Sequence, residues 1–120
     1  MFNVSIITVC FNSEKTIQQT INSVNNQNYK LVEHIFIDGL SNDNTVNIIK
    51  KNMKSNYLLI SEKDDGIYDA MNKGIKLAKG DIILILNSDD IFYENSTLDN
   101  NINTFKKDNF LDLIYGDIII

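Results

Sequence analysis

Five consecutive apolar residues, Ile82-Ile83-Leu84-Ile85-Leu86, stand between Asp81 and the polar cluster Asn87-Ser88-Asp89-Asp90. A run this short does not make a globular helix. Its unbroken apolarity predicts a strand buried on both faces, as in a parallel sheet covered by helices. Two adjacent carboxylates, Asp89 and Asp90, then fall where the strand ends. Ligands of open α/β sheets bind beyond the carboxyl ends of the strands, so this pair is expected at the mouth of a cleft. Adjacent carboxylates repel, and a divalent cation shared with a diphosphate would relieve that, because Mg²⁺-type ions are held by one or two carboxylates plus phosphate oxygens. For these four residues alone, an ordinary polar turn is the favoured reading, and the rest of the chain reverses it.

The rest of the chain supplies the frame for such a strand. Val4 to Val9 is a β-branched run, followed by Asn12-Ser13 as helix caps and a helix with Ile17, Ile21 and Val24 at spacings of four and three. His34 to Ile37 reads as a second strand ending at Asp38-Gly39. The cap-rich Ser41 to Thr45 then opens a helix with Val46 and Ile49 on its apolar face. Tyr57 to Ser61 is a third strand. After the charged loop Glu62 to Gly66, Ile67 begins a helix with Ala70, Met71, Ile75 and Ala78 on one side, closed by Gly80 as a C′ glycine. Ser96 or Thr97 caps a further helix bearing Leu98, Ile102 and Phe105, and Leu113 to Tyr115 starts a fifth strand. Strands alternating with helix-length connections predict an α/β, Rossmann-like fold, with a mostly parallel sheet and helices on both faces. The apolar end, Ile118 to Ile120, suggests the front part of a longer protein, truncated at its C-terminus, with residues 1–120 forming one domain part.

Composition narrows the function. The net charge of −5 argues against a nucleic-acid surface. All 11 basic residues are lysine, so phosphate would be held by point charges, backbone amides or a metal rather than by an arginine fork. One cysteine and one histidine exclude an internal disulfide and a Cys/His zinc site. Cys10 reads as a small packed side chain, and His34, at the start of a strand, as a surface or packing residue rather than a general base. There is no glycine between Val9 and Ser13, which excludes a dinucleotide fingerprint or P-loop in the first turn. No apolar stretch approaches the ~20 residues of a membrane span, and the chain reads as cytoplasmic, at most peripheral at the inner face of the cell membrane. Three strand ends carry polar side chains expected on one rim: Thr8 to Asn12, Asp38, and Ser88 to Asp90. Together these describe a nucleotide site with a metal, although Asp38 reads equally as the aspartate of a local turn.

Four segments in series carry a resemblance: VSIITVCFNSEKTI at 4–17, IFIDGLSNDNT at 35–45, EKDDGIYDAMNKGI at 62–75 and GDIILILNSDD at 80–90. They resemble the N-terminal, nucleotide-binding part of a family 2 glycosyltransferase with the GT-A fold, of the bacterial surface-polysaccharide type. The resemblance implies an inverting transfer of sugar from a nucleotide diphosphate, UDP above others, to a polysaccharide or lipid-linked acceptor, with Mn²⁺ or Mg²⁺ as cofactor. Thr8, Val9, Cys10, Asn12 and Glu14 match the family's first turn, which holds base and ribose, and Asp38 matches its base-contacting acid. Asp65, Gly66, Asn72 and Lys73 match positions facing the nucleotide. Ser88 and Asp89 fall on the nucleotide side of the acidic motif. Asp89 and Asp90 match its metal site, with Asp90 on the ion. Asn87, Gly39 and Met71 depart from the family's commonest residues. No residue matches the general base, which in this family comes from beyond position 120, so this chain is expected to hold the donor-binding half without full catalytic machinery. A catalytically silent nucleotide- or partner-binding module is the alternative. A receiver-like signalling domain would need acids after the first strand, where Cys10-Phe11-Asn12 stand.

Overall fold

The computed structural model describes residues 2–107. The order of elements is β1 (Val4–Cys10), α1 (Ile17–Asn25), β2 (Val32–Asp38), α2 (Thr45–Asn52), β3 (Tyr57–Ser61), α3 (Ile67–Leu77), β4 (Ile82–Ile85) and α4 (Thr97–Lys107). All strand pairs are parallel, in the order β3-β2-β1-β4. β1 therefore lies between β2 and β4, and all seven of its residues are buried. The expected fifth strand and the Phe105 side chain lie outside the described residues.

Alternation along β1 and β2 divides the core. Val4 and Ile6 pack with Val24 of α1 and with Leu98 and Ile102 of α4, while Cys10 and Phe36 meet Ile17 and Ile21 of α1 and Ile49 of α2. The opposite face carries Ile7, Val9, Ile35 and Ile37 against Ala70 of α3. Each fully buried isoleucine contributes roughly 1.5–3 kcal/mol of transfer free energy, so this double-faced layer dominates stability.

Three local expectations are corrected. α3 buries Ala70 and Gly74, whereas Ile75 is 42% exposed. The cause is close approach: a Cβ at position 74 would lie 2.5 Å from Ile7 Cγ2, so the small residues of α3 face β1 and the larger ones are turned aside. Gly80 is not a left-handed C′ residue, since among the described glycines only Gly66 has positive φ. It is small because a Cβ there would lie 2.7 Å from Ser5 N and 2.8 Å from Asn3 O, where the chain crosses the start of β1. β4 is only partly buried at each of its four positions, with Leu86, one residue beyond it, fully buried. Among the described residues it pairs with β1 alone.

His34 is fully buried, stacks on Phe36 with ring centroids 3.9 Å apart, and shares a 2.7 Å hydrogen bond with Thr8. Burial pushes its pKa down to about 3, which keeps the ring neutral and makes it a packing group.

Candidate functional site

The carboxyl ends of β1, β2 and β4 are tied together by backbone and side-chain hydrogen bonds. Gly39 N donates to Cys10 O at 2.9 Å, joining the ends of β2 and β1. The Ser13 and Ser88 hydroxyls share a 2.8 Å hydrogen bond across 75 residues, joining the first turn to the turn after β4. α1 starts at Ile17 rather than at the expected Asn12-Ser13 cap, because Ser13 is spent differently. Its carbonyl accepts from Thr16 N and Ile17 N, and its hydroxyl reaches Ser88.

The first and second turns brace each other. Glu14 N donates to Asp43 Oδ2 at 3.2 Å and Asn44 N donates to Glu14 Oε2 at 3.1 Å. Asp43 also accepts from the Thr45 amide and hydroxyl at the start of α2. Desolvation acts the other way, but these hydrogen bonds hold the Asp43 carboxyl below the usual range. Asn12 has φ 47° and bridges to the second turn, donating its amide to Ser41 Oγ and accepting from Asn42 N. Asparagine tolerates this left-handed conformation better than most residues.

Between these turns and the start of α3 opens a cleft of about 810 Å³, within the size range of small-ligand sites. Of the residues expected at the site, Val9, Cys10, Asn12 and Glu14 line it from the first turn, Gly66 from the α3 side, and Ser88 and Asp89 from the turn after β4. Lys15 adds an ammonium group. Gly66 adopts φ 113° and ψ −178° immediately before α3, a conformation open to glycine and strained for other residues. Burial, reinforced by the neighbouring Asp38, pushes the Cys10 thiol far above its ordinary value, so it is an inert wall.

The remaining expected residues stand elsewhere, each for a visible reason. Thr8 points into the core toward His34. Asp38 is fully buried: its carboxylate accepts from Ser41 N at 2.9 Å, the Ser41 hydroxyl at 2.5 Å and the Ser61 hydroxyl at 2.7 Å, with Cys10 Sγ 3.6 Å away. It is the local turn aspartate, extended by a third strand. Lys73 is held by Glu62 at 3.2 Å, Asp69 at 3.5 Å and the Lys63 carbonyl, and so straps the loop before α3. Asp65 gives its amide to Asp69 Oδ2, and Asn72 is exposed on α3 outside the cleft lining. Asp90 is 7% exposed and turned inward, accepting from Asn87 N at 3.1 Å. Burial raises its pKa; the Asn87 amide opposes this, and Asp89 adds to it.

Two acids absent from the expected set line the cleft, Asp43 and Asp64. Asp64 could have been found from its spacing, two residues before Gly66, whose amide it receives at 3.1 Å in an Asx-type turn.

The turn after β4 is anchored from below by Thr20, fully buried in α1, whose hydroxyl lies 2.9 Å from Ser88 O and 2.7 Å from Asp90 O. That leaves Asp89 facing the cleft, and Asn87 Oδ1 buried without a hydrogen-bond partner among the described residues. No group of three or more His, Cys, Asp or Glu side chains among the described residues could cage a metal. Asp89 and Asn87 both line the cleft, and their oxygens are donors of the kind a hard cation takes alongside phosphate and water.

Comparison with known proteins identifies the family and the fold. The profile described as Glycosyl transferase family 2 matches residues 5–118. A PGL/p-HBAD biosynthesis glycosyltransferase of Mycobacterium bovis (strain BCG / Pasteur 1173P2) is 34% identical over 119 residues, covering 97% of this chain and 46% of that protein. The poly(ribitol-phosphate) beta-N-acetylglucosaminyltransferase TarP of Staphylococcus aureus (strain N315) is 36% identical over 121 residues, covering 97% of this chain and 36% of the relative. The chain thus spans less than half the length of these two relatives. Among solved structures, S. aureus TarS 1–349 in complex with UDP-GlcNAc superposes with a TM-score of 0.78 at 25% identity, covering 88% of this chain and 32% of that one. The mannosyltransferase PcManGT from Pyrobaculum calidifontis gives 0.79 at 21% identity over 87% of this chain and 32% of its own, a likeness of fold.

Proposed function

The chain belongs to glycosyl transferase family 2, and from that premise we propose that it carries the donor-binding half of an inverting transferase. Its donor is a UDP-sugar and its acceptor a polysaccharide or a lipid-linked glycan. The observation that carries this reading is the convergence of three strand ends on one cleft with Asp89 exposed in it. The first turn, with Val9, Cys10, Asn12 and Glu14, would receive base and ribose. Gly66 would let the backbone pass close to the nucleotide, and Ser88 would lie at the ribose. Lys15 would offset part of the diphosphate charge as a point charge.

Asp89, with Asn87 Oδ1, would hold the divalent cation, which when bound stabilises the diphosphate as a leaving group. Asp90 has a different part in this reading. Its carboxylate receives Asn87 N and so shapes the turn that presents Asp89. The general base and the acceptor site are assigned to the part of the relatives' length that this chain does not span. Among the described residues no helix is long and apolar enough to cross a membrane.

Calorimetric titration of the chain with UDP, with and without Mn²⁺, tests the proposal. Binding at least about tenfold tighter with the metal is expected, a difference near 1.4 kcal/mol. Equal affinity in both would remove the role given to Asp89, and no UDP binding in either would remove the nucleotide site.

A further inference from the structure

We propose that β3 is an association edge, on which two copies of this chain pair antiparallel about Leu59 and join their sheets into one. β3 is the outermost strand of the order β3-β2-β1-β4, with β2 as its one neighbour among the described residues. Two hydrogen bonds fix which of its backbone groups are spent: His34 N donates to Asn56 O at 3.0 Å, and Glu62 N donates to Asp38 O at 3.0 Å. Backbone groups alternate along a strand, so the even-numbered residues from Asn56 to Glu62 face β2. The amides and carbonyls of Tyr57, Leu59 and Ser61 therefore point outward, and among the described residues no hydrogen bond reaches them. Such a row is a template for another strand, and folds usually blunt it with lysine, proline or a bulge. Tyr57-Leu58-Leu59-Ile60-Ser61 has no charge and no proline, and Leu58 is 39% exposed.

The free groups set the register. In an antiparallel pair, hydrogen-bonded partners must both point their groups outward. Of the registers this allows, the one centred on Leu59 pairs all five residues of β3, with Tyr57 against the second copy's Ser61. Leu58 then falls opposite the second copy's Ile60, and by symmetry this apolar pair occurs twice, on the face of the sheet that α3 covers. Charge selects the occupant. The exposed Lys50, Lys51 and Lys54 precede β3, whereas Glu62, Asp64 and Asp65 follow it, with Lys63 among them. Antiparallel pairing sets the basic flank of one copy beside the acidic flank of the other, while parallel pairing would set like beside like. The edge is therefore complementary to itself, and its partner is a second copy of this chain. This goes beyond the donor site and does not rest on it. The loop after β3 carries Asp64 and Gly66 into the cleft, so the two clefts of the pair open at opposite ends of the joined sheet.

Sedimentation equilibrium of the 120-residue chain between about 1 and 100 μM tests the proposal, with the dimer expected to fill as concentration rises. A mass that stays monomeric, or assembly beyond the dimer, overturns it. Leu58→Lys puts a charge opposite the second copy's Ile60 at an exposed position. It should keep the wild-type circular dichroism and raise the dissociation constant about tenfold or more. Raising NaCl from about 0.05 to 0.5 M should also weaken the dimer, because its flanks attract through water. A dimer indifferent to both changes is held by another surface and overturns the assignment. Disulfide formation reads the register. Opposed residues of a non-hydrogen-bonded antiparallel pair have Cα atoms about 4.5 Å apart, inside the range a disulfide spans. A mixture of Leu58→Cys and Ile60→Cys chains should therefore cross-link several-fold faster than either variant alone, the native Cys10 being buried. Equal rates in the mixture and in the single variants overturn the pairing about Leu59.

Discussion

The turn after β2 and the turn after β4 each place acids at or just beyond the carboxyl end of a parallel strand, and they use them differently. Asp38 is consumed by the fold, accepting from two side chains and an amide, one of them from β3. After β4, the inward acid is Asp90, which organises its own turn through Asn87 N, while Asp89 and the side-chain oxygen Asn87 Oδ1 are left over. A strand's carboxyl end therefore guarantees only a place on the rim. Whether a carboxylate there serves the fold or a ligand depends on how many donors the fold brings to it.

That contrast can be broken most directly at Asp38. Replacing it with alanine strands the Ser41 amide and two hydroxyls in a buried site. The loss should be about 3 kcal/mol or more of unfolding free energy in urea titration, given the usual cost of losing hydrogen bonds to a charged acceptor. A loss under about 1 kcal/mol would show that the turn after β2 is not held this way. Asp89→Ala is the converse. It should leave stability within about 0.5 kcal/mol, as for an exposed residue. Metal-dependent UDP binding, measured by calorimetry, should fall about tenfold.

The smallest effect sharpens the comparison inside the turn after β4. Burial raises the Asp90 pKa above its unfolded value, so the folded chain holds the proton over an interval in which the unfolded chain has released it. Stability therefore falls as pH rises through that interval, which begins at the ordinary value of 3.8. Asp90→Asn removes the group and should flatten this part of the profile, as urea melts from about pH 3 to 6 would reveal. Parallel profiles for the two proteins would mean that Asp90 titrates as if in water.

Local pattern in the chain was enough for the elements. The β-branched run at Val4, the apolar run at Ile82 and the spacing of Ile17, Ile21 and Val24 each named their element, because burial on one face or two imposes a period that survives in any context. The neighbourhood of the strand ends followed from connection length and handedness, which place β2 and β4 on either side of β1. Family membership was legible in the same four segments.

The direction of each polar side chain was decided only by the tertiary structure. Asp64 and Asp65 are neighbours in the run EKDDG, yet one lines the cleft and the other gives its amide to Asp69. Asp38 turns inward because Ser61, 23 residues later, arrives with a hydroxyl. α3 presents Ala70 and Gly74 to the sheet because Ile7 leaves no room for more. Periodicity records which side of an element is buried. The donor that satisfies a given carboxylate is supplied by a distant part of the chain, and only the folded arrangement brings the two within hydrogen-bond reach.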